Sequence, residues 1–531
     1  MKSRDNRSEL TVVQGAGCVT TCCDRTKTES ELAVSRRRFL QGMGAAGVAV
    51  GGLALAAAES RAASADPVPG EPFPRGKALR LKPILVHDLP DRKERTSWRG
   101  YGGIHTREAA QEEAGRIEKE LREMKDKAEF PVELQPLAVL DSQSKLAQAL
   151  SPDVDMYVLY AAGACTEWPK EAQSPMVMFV RHRSGPFYLG FEIAHWRFLR
   201  ESGDQFTRQD FGPDDVVVDS YDELLWRARA LYGLKNARGT KMLTIGGLCA
   251  YSREAQEAGP RTAKEVWGYD FVDVSNEQFA QRLAAARNDP QVVKQIEERT
   301  ASLLAMPNIT LATERKFVFN SYMALHVCRE FLKESGCSNF GFSQCMGHGQ
   351  ISMLDTPACF VLSLANDEGH TAYCHTDLSH TMPGVLLRWI ASRPAFVCNS
   401  HHPHDGLYFV AHCQAPRRMN GRDYEPATIM THYESDYGAA CKTHYTKDQV
   451  VTAVIPNLRC TKWQAFRGKI VGAPSYPACR SQMEIEIDGD WKRLLREMEG
   501  FHTQVVYGDY TREVGYALRK LGTRIEWDCF S

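Results

Sequence analysis

Residues 155–164 (DMYVLYAAGA) pass from one acidic side chain into an unbroken apolar stretch, and this stretch restricts the fold more than any other part of the chain. A strand whose successive residues are all apolar has no face for water. It must be covered on both sides, as in a parallel sheet packed between helices. Residues 82–86 (KPILV), 175–180 and 187–191 repeat the theme. Residues 107–128 set Glu, Lys and Arg around apolar positions at helical spacing, which predicts a solvated amphipathic helix. A helix near 221–234 leads to a strand at 241–245 and then to Gly246-Gly247. That pair lacks the GxGxxG fingerprint, so it reads as an ordinary tight turn between strand and helix. A long helix over 313–333, a strand at 340–342 and an apolar run at 357–365 keep the α/β rhythm. After about residue 440 the pattern changes. Residues 450–455, 468–471 and 483–487 are short β-type segments bounded by Gly and Pro, which predicts an antiparallel or barrel-like part.

The N-terminus carries an address. Ser35-Arg36-Arg37-Arg38-Phe39-Leu40-Gln41 leads into an uncharged, Gly- and Ala-rich run ending at Ala58. Ala63-Ser64-Ala65 then supplies the small-x-small pattern that a signal peptidase reads. The expectation is a twin-arginine signal peptide over 1–65, with Arg36 and Arg37 as its signature. The twin-arginine translocase is then a partner, and the destination is the periplasm or the outer side of the cell envelope. An uncleaved anchor is the alternative reading of the same run. Residues 66–80, rich in Pro, Gly and Arg, read as a linker.

Beyond residue 65 the chain has 56 basic and 60 acidic side chains, without the basic excess of a nucleic-acid binder. Thirteen of the sixteen cysteines lie there, an odd number at irregular spacing, so a disulfide scaffold is not expected and most should be buried apolar thiols.

Ligand-type side chains concentrate between 366 and 413. Asn366-Asp367-Glu368-Gly369-His370 leads to Cys374-His375-Thr376-Asp377 and His380, then to Cys398-Asn399, His401-His402, His404-Asp405 and His412-Cys413. Imidazole and thiol donors suit Zn, Fe, Co or Ni better than Mg or Ca. The spacings match no zinc finger or HExxH helix. Taken alone, 401–405 is as readily a polar surface loop.

Residues 357–377 (PACFVLSLANDEGHTAYCHTD) and Arg393-Pro394-Ala395-Phe396 resemble the L-fucose/L-arabinose isomerase family, especially its fucose-isomerase-like members. Further on, Ala411-His412-Cys413-Gln414-Ala415-Pro416, His432-Tyr433-Glu434-Ser435, Cys479-Arg480-Ser481-Gln482, Gly500-Phe501-His502 and Val506-Tyr507-Gly508-Asp509-Tyr510 resemble it in the same order. The resemblance implies two Rossmann-like α/β domains (66–181 and 182–345), followed by a C-terminal α+β domain with a β-barrel (346–531). It also implies a homo-oligomer, a small sugar substrate and aldose–ketose isomerisation with a divalent metal, typically manganese. Such a metal polarises a carbonyl while acid/base groups move a proton between neighbouring carbons.

In that family two acidic side chains and two histidines hold the metal. The histidines match His412 and His502, but the first acidic position falls on His375 and the second near Asn399. A neutral imidazole can bind metal or act as a base, yet it brings no negative charge. Asp377 is the nearest carboxylate, and in an extended segment it would face the same side as His375. The expected ligands are therefore His375, Asp377, His412 and His502, with His375 and Asp377 as the catalytic pair. The His-rich set makes Zn, Fe or Co alternatives to Mn. Three functions follow from this scaffold: a sugar isomerase, a metal-dependent carbohydrate hydrolase or lyase, and a sugar-binding protein without catalysis. Replacing Arg36 and Arg37 by Lys is expected to retain the folded protein in the cytoplasm, and cell fractionation checks this.

Overall fold

The computed structural model describes residues 66–531 apart from 68, 166–167, 195–210, 345–346 and 523. The twin-arginine segment, with Arg36 and Arg37, lies outside the described residues. The stretch after it is tied to the body rather than free. Asp66 pairs with Arg299 and accepts a hydrogen bond from the Tyr322 hydroxyl, while Arg418 donates to the Glu71 carbonyl.

A first parallel sheet holds β1 (Leu79–Val86), β2 (Val132–Leu134), β3 (Ala138–Leu140), β4 (Met156–Ala161), β5 (Met176–Val180) and β6 (Val216–Val218). Its order is β2-β1-β4-β5-β6, with β3 also on β1. The apolar run of the sequence is β4, central and buried along its whole length. Met156, Val158 and Tyr160 face one core, and Tyr157, Leu159 and Ala161 face another. Helix α1 (Arg107–Lys127) covers the first of these with Ala110, Ile117, Leu121 and Met124. Its start is fixed by the Thr106 hydroxyl, which accepts the Ala109 N–H at 3.2 Å. Helix α2 (Tyr221–Ala237) packs on the same core. The strand expected at 187–191 is instead a helical turn, Leu189–Ile193. A run that short carries no period to tell the two apart.

The second parallel sheet has the order β11-β10-β7-β8. Its strands are β7 (Lys241–Ile245), β8 (Asp270–Val274), β10 (Asn339–Phe342) and β11 (Thr371–Cys374), while β9 (Ile309–Ala312) leaves it for a small sheet described below. Helix α3 (Arg315–Ser335) precedes β10, and the apolar run at 357–365 becomes helix α4 (Cys359–Asp367). After β11 comes α5 (Leu378–Ala391), buried at every position except Trp389. A helix apolar all round belongs inside a protein, and α5 lies between α2, the β11 strand and the barrel.

The barrel is closed and antiparallel. Its six strands are β12 (Phe396–Ser400), β13 (Leu407–His412), β16 (Val450–Pro456), β17 (Lys462–Gly472), β18 (Ser481–Asp488) and β19 (His502–Tyr507). They follow the order β16-β19-β12-β13-β18-β17, and β16 pairs with β17 to close the ring. Phe396, Tyr408, Val451, Phe466, Ile485 and Val505 are among the side chains that fill it. Strands β14 (Ala427–Met430) and β15 (Ala440–Thr443) join β9 in a separate three-stranded sheet, and β20 (Glu526–Cys529) runs parallel beside β17. The barrel thus starts with β12, well before residue 440. Its first two strands are short and polar at their ends, so they carry little alternation. No helix among the described residues is long and apolar enough to cross a membrane.

Gly384 allows α5 to lie against the Tyr373 ring of β11, because a Cβ there would enter the ring. Gly384→Ala therefore overpacks a fixed aromatic, at a cost of about 1–3 kcal/mol. This exceeds the roughly 1 kcal/mol that alanine gains over glycine inside a helix. A lower urea midpoint is expected; an unchanged or higher one contradicts this packing.

Candidate metal centre

The site forms where three segments meet: the end of β11, the loop after β7 and the first residue of β19. Strand β11 stops at Cys374, and His375 takes a left-handed backbone conformation, φ 56°. That turn sends the chain directly into α5. Asp377 becomes the N-cap of α5, its Oδ1 accepting the Ser379 N–H at 2.8 Å and the Ser379 hydroxyl at 2.6 Å. The other oxygen accepts the Tyr251 N–H at 3.1 Å. Thr376 ties the same two segments, donating to the Gly247 carbonyl at 2.8 Å and accepting the Cys249 N–H at 2.6 Å. The Gly246-Gly247 turn, with φ 82° and 86°, is therefore a wall of the site.

One helical turn past the cap, His380 points back beside Asp377. The Gln504 side chain of β19 donates to the His380 carbonyl at 2.7 Å and fixes helix to barrel. His502, the first residue of β19, completes the group. Asp377, His380 and His502 are buried, and each offers a ligand atom within 4.8 Å of the others. The His380 and His502 rings meet edge to face at 4.8 Å, and the half-exposed Tyr251 ring stands over His502 at 5.7 Å.

Electrostatics fit a cation. Burial alone would raise the Asp377 carboxyl, but the facing imidazoles and its three hydrogen bonds hold it below the ordinary carboxylate value. Burial pushes His380 down to about 4, against the pull of Asp377. It pushes His502 down to about 3, with His380 adding to the effect. The site therefore presents one carboxylate and two neutral imidazoles at neutral pH, the protonation that metal ligation requires. Nδ1 of His380, of His502 and of the nearby His375 are all buried without a hydrogen-bond partner. Such orphaned nitrogens are costly unless something binds them. The group could hold a metal ion, and its donors suit a borderline first-row metal.

Of the four expected ligands, the structure brings Asp377 and His502 together with His380, and His375 and His412 are not in that group. Segment 375–377 is not extended, so His375 does not share a face with Asp377 and is not in the group. It is half-buried at the rim, its imidazole lowered by burial. His412 is also outside. Its Nδ1 accepts the N–H of Cys413 at 2.9 Å, which occupies one ring nitrogen and puts the proton on the other. Burial takes His412 down to about 4. His380 joins Asp377 and His502, and the sequence signal for it is the Asp-x-x-His spacing across a helix start.

Asn399 lies opposite His502 in the β12–β19 ladder, with its Oδ1 buried and unpartnered, so it borders the group without charge. His401, His402 and His404 are exposed and line a separate cleft of about 360 Å³ with Phe409 and Tyr476. Most described cysteines are buried, as expected, and Cys374 is disulfide-bonded.

The histidines also set a pH dependence. Each binds a proton more weakly in the folded state than its ordinary value of 6.5, so on acidification the unfolded chain takes up protons first. Their contribution to stability is present above pH 6.5 and is lost as pH falls toward about 4 for His380 and His412 and about 3 for His502. Thermal unfolding of metal-free protein should show a midpoint that drops across this window, and a flat midpoint contradicts it. No protein-family model matches the chain, and no curated protein matches it closely enough to count as a relative.

Proposed function

We propose that the protein is a divalent-metal enzyme acting on a small sugar, an aldose–ketose isomerase in type. The observation that carries this reading is the buried Asp377–His380–His502 group, with unpartnered imidazole nitrogens around it. The resemblance of residues 340–531 to fucose-isomerase-like proteins supplies the substrate class and the reaction. Reading the two parallel sheets as Rossmann-like domains, the homo-oligomer and export by the twin-arginine route belong to the same proposal.

A bound divalent metal supplies polarisation of a carbonyl and compensation for negative charge on an enediol. Asp377, His380 and His502 would hold it. Asp377 has both oxygens engaged by Ser379 and Tyr251, so it holds and orients rather than shuttling a proton. His375, neutral and at the rim with Nδ1 unpartnered, is the group able to take a proton from one substrate carbon and return it to the next. His412 carries its proton on the nitrogen not bonded to Cys413 and can donate to a substrate oxygen. The Tyr251 ring limits water at His502.

A second reading, a metal-dependent carbohydrate hydrolase or lyase, is favoured by the donor count. One carboxylate and two imidazoles are the protein ligands of a water-activating zinc site rather than of a two-carboxylate manganese site.

Metal analysis of purified protein should find about one first-row ion per chain. Asp377→Asn and His380→Ala should weaken its binding by more than the roughly 10–100-fold that changes to outer partners cause. L-Fucose, L-arabinose and related aldoses in heavy water should then exchange the C2 proton, and His375→Ala should abolish exchange while retaining metal. Bound metal without exchange across a broad aldose panel removes the isomerase and leaves the hydrolase or lyase. Absence of metal removes both and leaves a sugar-binding protein.

A further inference from the structure

Three thiols meet on the far side of His412. Cys359 is the first residue of α4, Cys413 follows β13, and Cys479 lies in the turn before β18. Cys359 and Cys413 pack with Ala440 at 2% and 1% exposure, and the half-buried Cys479 closes the group toward solvent. The ladder explains the meeting. His412 pairs with Ser481, which brings Cys413 and the turn at Cys479 together at adjacent strand ends. Cys413 is the centre: it packs against Cys359 and Cys479, and the Arg480 N–H donates to its Sγ at 3.4 Å. The Ser435 N–H donates to His432 Nδ1 at 3.3 Å, which leaves the ring proton on Nε2. Glu434 stands 3.8 Å from that nitrogen, which is buried without a hydrogen-bond partner. A backbone N–H thus points at one sulfur that lies between two others.

We propose that Cys479 and Cys413 form a dithiol exchange site that reacts with low-molecular-weight disulfides. Cys479 is the entry thiol because it alone of the three reaches solvent. Its sulfur displaces one half of a small disulfide, giving a mixed disulfide on Cys479 and one free small thiol that carries away the Cys479 proton. The Cys413 sulfur then attacks the Cys479 sulfur. The Cys413–Cys479 bond forms, and the second small thiolate departs with the Cys413 proton. Two protein thiols are oxidised and one small disulfide is reduced to two thiols. Cys359, behind Cys413, stays a thiol. The new bond joins the ends of β13 and β18 beside His412.

The test uses the full chain, glutathione disulfide as the probe, alkylation of remaining thiols and peptide mass spectrometry. Wild type should lose one pair of alkylatable thiols and yield a linked Cys413–Cys479 peptide. Cys413→Ser should stop halfway, with glutathione retained on Cys479. Cys479→Ser should give neither adduct nor link, and Cys359→Ser should behave as wild type. A Cys359–Cys413 link, or unchanged thiol content in folded wild type, overturns the proposal. If Cys413→Ser does not fold, the half-exposed Cys479→Ser decides: continued loss of the Cys413 thiol in that variant overturns it.

Discussion

Asp377 ties together the segments from which the candidate metal group is built. With one carboxylate oxygen it caps α5, and with the other it holds the Tyr251 amide in the loop after β7. Helix α5 is buried except at Trp389 and sits between α2, β11 and the barrel, so fixing its start fixes where those parts meet. A buried carboxylate is costly unless its lone pairs are satisfied. Here they are satisfied by three donors, and the charge that survives faces two neutral imidazoles. The architecture and the group that could hold a metal ion rest on the same ionised side chain.

A second buried carboxylate plays a different part. Asp367, at the end of α4, accepts the Arg417 and Arg418 amides and pairs with the Arg417 guanidinium at 2.9 Å. Burial keeps this carboxyl above its ordinary value even against the arginine. Such pairs fix geometry more than they add stability. This one pins the segment after β13, and so helps set where His412 and Cys413 stand relative to α4. The thiol cluster is built on the end of β13 and its neighbour β18, while the candidate metal group stands on the start of α5 and the first residue of β19.

Much of the fold was legible in the chain. The doubly apolar run that became β4, the amphipathic α1, the long α3 and the strand before Gly246 all carry local periodicity, and all are found. The barrel was legible only in its later strands. The helical turn at Leu189–Ile193 was not legible, since a few apolar residues in a row suit helix and strand equally. The candidate site was partly legible. The resemblance points to His502 and proximity to Asp377; the structure brings these two together with His380, and His375 and His412 are not in that group.

The sequence by itself determined the layered α/β arrangement of the first half, because unbroken apolar strands must be covered on both faces. It also determined that ligand-type side chains crowd between residues 366 and 413. Only the tertiary structure decided which of them meet. The left-handed turn at His375 points Asp377 into a helix cap, and the Gln504–His380 hydrogen bond joins residues 124 apart in the chain. A metal group depends on ångström distances between side chains from distant segments, and no local pattern encodes that. Closure of the barrel brings β19 and α5 together and selects His380 and His502 from sixteen histidines.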